Sequence, residues 1–230
     1  METKYKIIET KIQGLSVEEG RTKLTAIHNN KDLTFLHPAY GPDTYANVGA
    51  KIEQNGLAKP TMAETASLVH AAFNSDDKYS NEIRDIMKQR ILWGFTGNLY
   101  IPKKGVYIED NPEIRDVFMD ESELIKKLEA NDTTVRFVPF GYKIGRMSSL
   151  ELAKNPYLIG LAEEAGADKL AQVADKHKNK PYLFSFNSVD KPITRVSALD
   201  SDWSLGSGLD VVGGYYCGDY WDGCAFGVLR

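Results

Sequence analysis

Cysteine is scarce in this chain: only Cys217 and Cys224 are present, too few for a disulfide framework. No histidine follows His177, so the two thiols lack the partners of a zinc site. They are expected to be free, although a bridge between them stays geometrically open. Long apolar runs are also missing. Nothing approaches the roughly 20 residues of a membrane helix, and Met1-Glu-Thr-Lys-Tyr-Lys6 is not followed by the apolar stretch of a signal peptide. The expectation is no signal peptide, no membrane insertion, and residence in the cytoplasm or in a virion assembled there. Gly-Lys-Ser/Thr, Gly-x-Ser-x-Gly and His-Glu-x-x-His are absent. His28, His37, His70 and His177 are scattered without metal spacing. No catalytic residue, no metal ligand and no cofactor is therefore expected.

What is present suits a globular protein. Of 230 residues, 42% are hydrophobic and 26% charged, enough to bury a core. The chain reads as a single domain of mixed α and β structure. Ser16-Val-Glu-Glu19 and Thr61-Met-Ala-Glu64 look like capping boxes, opening helices toward Asn29 and over 62–73. Helical spacing of Ile83, Ile86, Met87 and Ile91 predicts a helix over 80–91. Short strands are expected over 92–109, with turns at 96–98 and 103–105. A helix follows over 121–130, a strand over 135–142, and a helical stretch over 149–177 behind Ser148-Ser-Leu-Glu151. Strands over 182–186 and 193–199 complete that part.

The last segment has the most biased composition. Residues 1–199 hold 27 basic and 27 acidic residues, whereas 200–230 hold five Asp and a lone Arg230. This excess of negative charge argues against nucleic acid as a partner. Lys, Glu, Gln and Met make up 44 of the 230 residues, yet Asp200 to Cys224 contains none of them. Randomising both adenines of AAC codons yields NNC codons, which give Asp, Gly, Ser, Tyr, Cys, Val and Leu but never Lys, Glu, Gln, Met or Trp. Trp203, Leu205, Leu209, Val211, Val212, Trp221 and 225–230 then read as a buried frame. The residues between them alternate with it at a period of two.

Arg195-Val-Ser-Ala-Leu-Asp-Ser-Asp-Trp203, the Gly/Asp/Tyr/Cys stretch and the closing Ala-Phe-Gly-Val-Leu-Arg resemble the variable proteins of diversity-generating retroelements. The likeness is to the archaeal and archaeal-virus members and covers about the last 40 residues. It implies an α+β, C-type lectin-like fold whose variable region, 200–224, faces solvent. It also implies a non-enzymatic binding protein whose partner is a protein or cell-surface ligand. The implied ligand-binding residues are Ser201, Asp202, Ser204, Gly206, Ser207, Gly208, Asp210, Gly214, Tyr215, Tyr216, Cys217, Gly218, Asp219, Tyr220, Asp222, Gly223 and Cys224. Such a mixture suits recognition, because Tyr offers large contact area with few rotamers while Ser, Gly and Asp offer adaptable polar groups.

Two other readings stay open on the residues alone. Gly206-Ser-Gly-Leu-Asp210-Val-Val-Gly-Gly214 approaches a calcium-binding Gly/Asp repeat, but that repeat needs about three stacked copies. A lone calcium site from Asp200, Asp202 and Asp210 is the simpler form. The formylglycine-generating enzymes share the lectin-like fold, but their closing Gly-Gly-Ser-Trp and Gly-Phe-Arg pattern is not met here.

Overall fold

The computed structural model describes residues 15–17, 23–113, 119–201, 208–216 and 220–230. In chain order the elements are β1 Leu15–Val17, β2 Lys23–His28, β3 Lys31–Asp43, α1 Tyr45–Gln54, α2 Met62–Phe73, α3 Lys78–Gln89, β4 Ile91–Ile101, β5 Gly105–Asp110, α4 Glu121–Glu129, β6 Val135–Pro139, β7 Gly145–Arg146, α5 Ser149–Ala153, α6 Pro156–Ala174, β8 Tyr182–Phe184, β9 Ile193–Ser201, β10 Leu209–Tyr215 and β11 Gly223–Leu229. The architecture is α+β. One open sheet runs in the order β1-β2-β3-β11-β4-β9-β10-β8-β7, with β5 and β6 branching from β4.

β4 is the axis of this sheet, and all of its residues are buried. One edge pairs with β9; the other is shared by β11 at Ile91–Leu92 and by β5 from Thr96 onward. Side chains alternate across it. Leu92, with Leu199, Leu209, Val211, Phe226 and Val228 from neighbouring strands, packs with α2, α3 and α6. Ile91, Trp93 and Phe95 pack on the opposite face with Tyr45, Val48 and Ile52 of α1. A smaller cluster around Leu99, Ile101 and Tyr107 lies against Leu124 of α4.

Local chemistry accounts for most helix starts. Thr61 and Glu64 close a reciprocal capping box at α2, as do Ser148 and Glu151 at α5. Asp77, Asp120 and Asn155 cap α3, α4 and α6 through their side chains. Helix α6 is broken at Glu163, whose φ of 61° and ψ of 167° are not helical.

Where the stretch of the expected helix from residue 16 toward Asn29 is described, it holds β1 and β2 as antiparallel strands instead; 18–22 lie outside the described residues. Lys23-Leu-Thr-Ala-Ile-His28 carries a two-residue period, with Leu24 and Ala26 buried, and that period outweighs the upstream Ser-x-x-Glu pattern. No turn forms at 96–98, which lies inside β4. Two elements had no sequence signal: β3, which carries Pro38, Gly41 and Pro42 inside a strand, and α1, whose cap Thr44 is followed at the third helical position by Asn47 rather than Glu.

A buried polar joint ties β2, α2 and α6 together. Ser67 Oγ lies 3.0 Å from His28 Nδ1, accepts from Lys169 Nζ at 2.8 Å, and donates to the Ala63 carbonyl at 3.1 Å. Burial lowers the pKa of His28 and of His70, partly offset at His28 by Glu64 and Glu163 and at His70 by its hydrogen bond to Gln172. The unfolded imidazoles titrate near ~6.5 and hold more protons than the folded ones just below that pH. Stability therefore falls as pH drops through about 6.5 and levels off below the folded values. Thermal melts between pH ~7 and ~5 should show a falling midpoint that flattens in the His28→Gln/His70→Gln double variant. An unchanged slope in that variant contradicts the assignment. Phe226→Ala, at a fully packed position of β11, should cost about 3–5 kcal/mol in chemical denaturation.

Candidate functional site

The C-terminal segment enters the sheet twice. β10 lies between β9 and β8, and β11 lies between β3 and β4. β10 and β11 are therefore three strand spacings apart, roughly 14 Å. The frame that the chain leaves and rejoins is apolar. Leu209, Val211 and Val212 are buried, as are Ala225, Phe226 and Val228.

Trp93 is the floor of the site. Its indole is fully buried, meets Tyr45 edge-on at 5.6 Å and meets Tyr215 edge-on at 5.9 Å. Its Nε1 donates to the Asp43 carbonyl at 3.4 Å. Gly223 passes directly against it: a Cβ there would lie 1.9 Å from Trp93 Nε1. A second close approach fixes the end of β10, where a Cβ at Gly213 would lie 1.5 Å from the Tyr157 hydroxyl. Tyr100 donates to the Gly213 carbonyl at 2.9 Å and lies 2.9 Å from Ser185 Oγ, while Tyr157 donates to Asn98 at 3.0 Å. Burial raises the pKa of both phenols, so they stay neutral and act as hydrogen-bonding posts. The register between β10 and β9 shifts between Val212 and Tyr215, which is where this network holds the backbone.

On this frame stands a half-exposed polar and aromatic group. Asp210 faces Asp200 across the β9–β10 pair. Tyr215 donates to Asp200 Oδ2 at 2.8 Å, and its ring packs on Tyr220 at 4.3 Å. Burial, reinforced by the Asp200 charge, raises the Tyr215 pKa. Tyr216 stacks near the Arg195 guanidinium at 5.6 Å, and Phe186 lies 5.7 Å from the same group. Phe184, exposed on β8, fills the space beside Gly214, where a Cβ would lie 2.5 Å from its ring.

The expected binding residues thus divide by burial. Tyr216 and Tyr220 are exposed; Asp210, Gly214, Tyr215 and Asp222 are partly exposed. Ser201, Gly208, Gly223 and Cys224 are buried and offer no solvent-facing contact. Cys224 is 4% exposed, and burial pushes its thiol pKa up. Asp202, Ser204, Gly206, Ser207, Cys217, Gly218 and Asp219, with the expected frame residues Trp203 and Leu205, lie outside the described residues. Trp221 corrects the frame expectation: it is 70% exposed. Indole size suggested a core position, but at the strand-to-strand crossing the chain turns it outward. Sequence reasoning also missed Trp93, Phe184 and Arg195 as parts of the site. The alternation in Tyr182-Leu-Phe, which puts Phe184 opposite to the buried Leu183, was the available signal for Phe184.

The scattered histidines have ordinary roles. His37 bonds Glu82 at 2.8 Å, His70 lies 3.0 Å from Gln172, and His177 packs on Phe73. Among the described residues no group of three or more His, Cys, Asp or Glu could hold a metal ion, and no helix is long and apolar enough to cross a membrane. No protein-family model, curated protein or solved structure matches the chain.

Gly223→Ala should destabilise the protein by about 1–3 kcal/mol or more through overpacking against Trp93. Tyr216→Ala and Trp221→Ala should stay within about 0.5 kcal/mol. Urea midpoints of the purified variants check the contrast, and equal effects at all three positions would refute the division into frame and surface.

Proposed function

We propose that this chain is the variable protein of a diversity-generating retroelement. Its C-terminal segment presents a diversified, non-catalytic binding surface for a protein or cell-surface ligand on a C-type lectin-like fold. The observation that carries the reading is the partition of the tail. Asp210, Tyr215, Tyr216, Tyr220 and Asp222 are reachable by solvent and belong to the NNC alphabet, while the apolar residues on either side are buried in β10 and β11. Except at Tyr215, whose ring packs on Trp93, side chains can change at the first group without removing core contacts. Tyr supplies contact area at low entropic cost, and Asp supplies polar contacts. Trp221 has a special place in this reading. No NNC codon encodes Trp, so it is an exposed aromatic anchor that stays constant while its neighbours vary.

The DNA around the gene tests the origin. The reading requires a near-identical repeat of the segment encoding 200–224, beside a reverse transcriptase gene. Differences between the two copies must fall at template adenines, with the Trp221 codon identical in both. A genome lacking any such repeat would refute the retroelement origin. The facing pair Asp200 and Asp210 supports calcium binding as a second reading. On the binding-surface reading, thermal melts with calcium and with chelator should coincide; a calcium-dependent rise of the midpoint favours the metal.

A further inference from the structure

One concave feature shares no residue with the C-terminal site. It is a cavity of about 570 Å³ between the loop after β6 and the junction of α5 with α6, within the roughly 300–1,000 Å³ of small-molecule clefts. Its walls are apolar: Pro139, Phe140, Tyr142, Leu150 and Pro156. Leu150 is 65% exposed although it heads a helix with a well-buried neighbour, Leu152. An exposed leucine beside Phe140 in a concavity is a contact surface awaiting an apolar group.

Among the described residues, the mouth has one spare positive charge. Lys143 Nζ donates to Glu151 at 2.8 Å. The Glu151 carboxylate also accepts from the Ser148 backbone, and these contacts with Lys143 and Ser148 lower its pKa to about 2, so it is ionised. Lys154, also on the lining, has no ion-pair partner among the described residues. The walls are held before any ligand arrives. Asn155 donates to the Lys143 carbonyl at 2.8 Å and accepts from Tyr157 N at 3.0 Å, joining the loop to α6. The Tyr142 hydroxyl donates to the Phe186 carbonyl. Preorganised walls lower the ordering cost of binding.

We propose that this cleft binds a small amphipathic monocarboxylate of the medium-chain fatty-acid type. The alkyl body lies on Phe140 and Leu150, and the carboxylate pairs with Lys154. A single uncompensated ammonium at an apolar cleft matches a singly charged head. A polyanion would find too few cations, and a cationic amphiphile would be repelled.

Decanoate, followed by calorimetry and by amide chemical-shift mapping, is the probe, with decylamine as the charge-reversed control. The unaltered protein should bind decanoate saturably at one site, with shifts at Phe140, Leu150 and Lys154, and should not bind decylamine. Lys154→Gln should weaken binding about tenfold, the loss of one charge-assisted contact. Leu150→Asp should abolish it. Both positions are exposed, so melting midpoints should be unchanged. The shift map on the unaltered protein decides the question even where a variant fails to fold. Absence of saturable binding, shifts confined to other residues, equal binding of decylamine, or full affinity in folded Leu150→Asp would each overturn the proposal.

Discussion

The buried indole of Trp93 is the contact on which the C-terminal arrangement depends. It stands near the start of β4, a strand covered on both faces, and it leaves no room for any side chain at Gly223. That close approach sets where β11 begins. From there the chain runs between β3 and β4 and ends with Arg230 paired to Glu64 at 2.7 Å. The same indole supports Tyr215 from the other side, so both ends of the 216–222 connection are positioned by one residue lying far away in the sequence. The tyrosine and serine network at Gly213 holds the preceding backbone. On the proposed reading, ends fixed in this way suit a binding surface, because ordering already met in folding is not met again on binding.

Burial separates two kinds of small residue in the tail that composition treats alike. Gly223, Gly213 and Gly214 are each dictated by a neighbouring ring, of Trp93, Tyr157 and Phe184, although Gly214 is partly exposed. Ser201 and Cys224 likewise belong to the interior. The surface is also wider than the tail: Phe184 and Arg195, contributed by β8 and β9, stand beside Gly214 and Tyr216.

How much of this was legible depends on the range of the interaction that decides each element. Capping is local, so Thr61-Met-Ala-Glu64 and Ser148-Ser-Leu-Glu151 announced α2 and α5 correctly. Periodicity over a few residues placed α3, and the strands read over 182–186 and 193–199 match β8 and β9. The same capping pattern at Ser16 misled, because strand pairing with a later segment decided the region. β3 was hidden because Pro38, Gly41 and Pro42 read as breakers, yet its backbone is held by β2 on one side and β11 on the other. The apolar frame was legible in β10 from the alternation Leu-Asp-Val and in β11 from a plain apolar run. Trp221 was not, since residue size alone does not tell a core indole from an exposed one. The contact between Trp93 and Gly223 spans the sheet, and no local pattern carries it.

The central claim is that the tail's exposed positions can be replaced to create recognition while the frame stays intact. A displayed library randomised at Asp210, Tyr216, Tyr220 and Asp222, selected against an immobilised, unrelated protein bait, measures this directly. The account predicts folded clones that bind with micromolar or tighter dissociation constants, roughly 8 kcal/mol or more. Restoring the original four residues should abolish that binding. A well-folded library that yields no binder, or binders whose affinity survives the restoration, would contradict it.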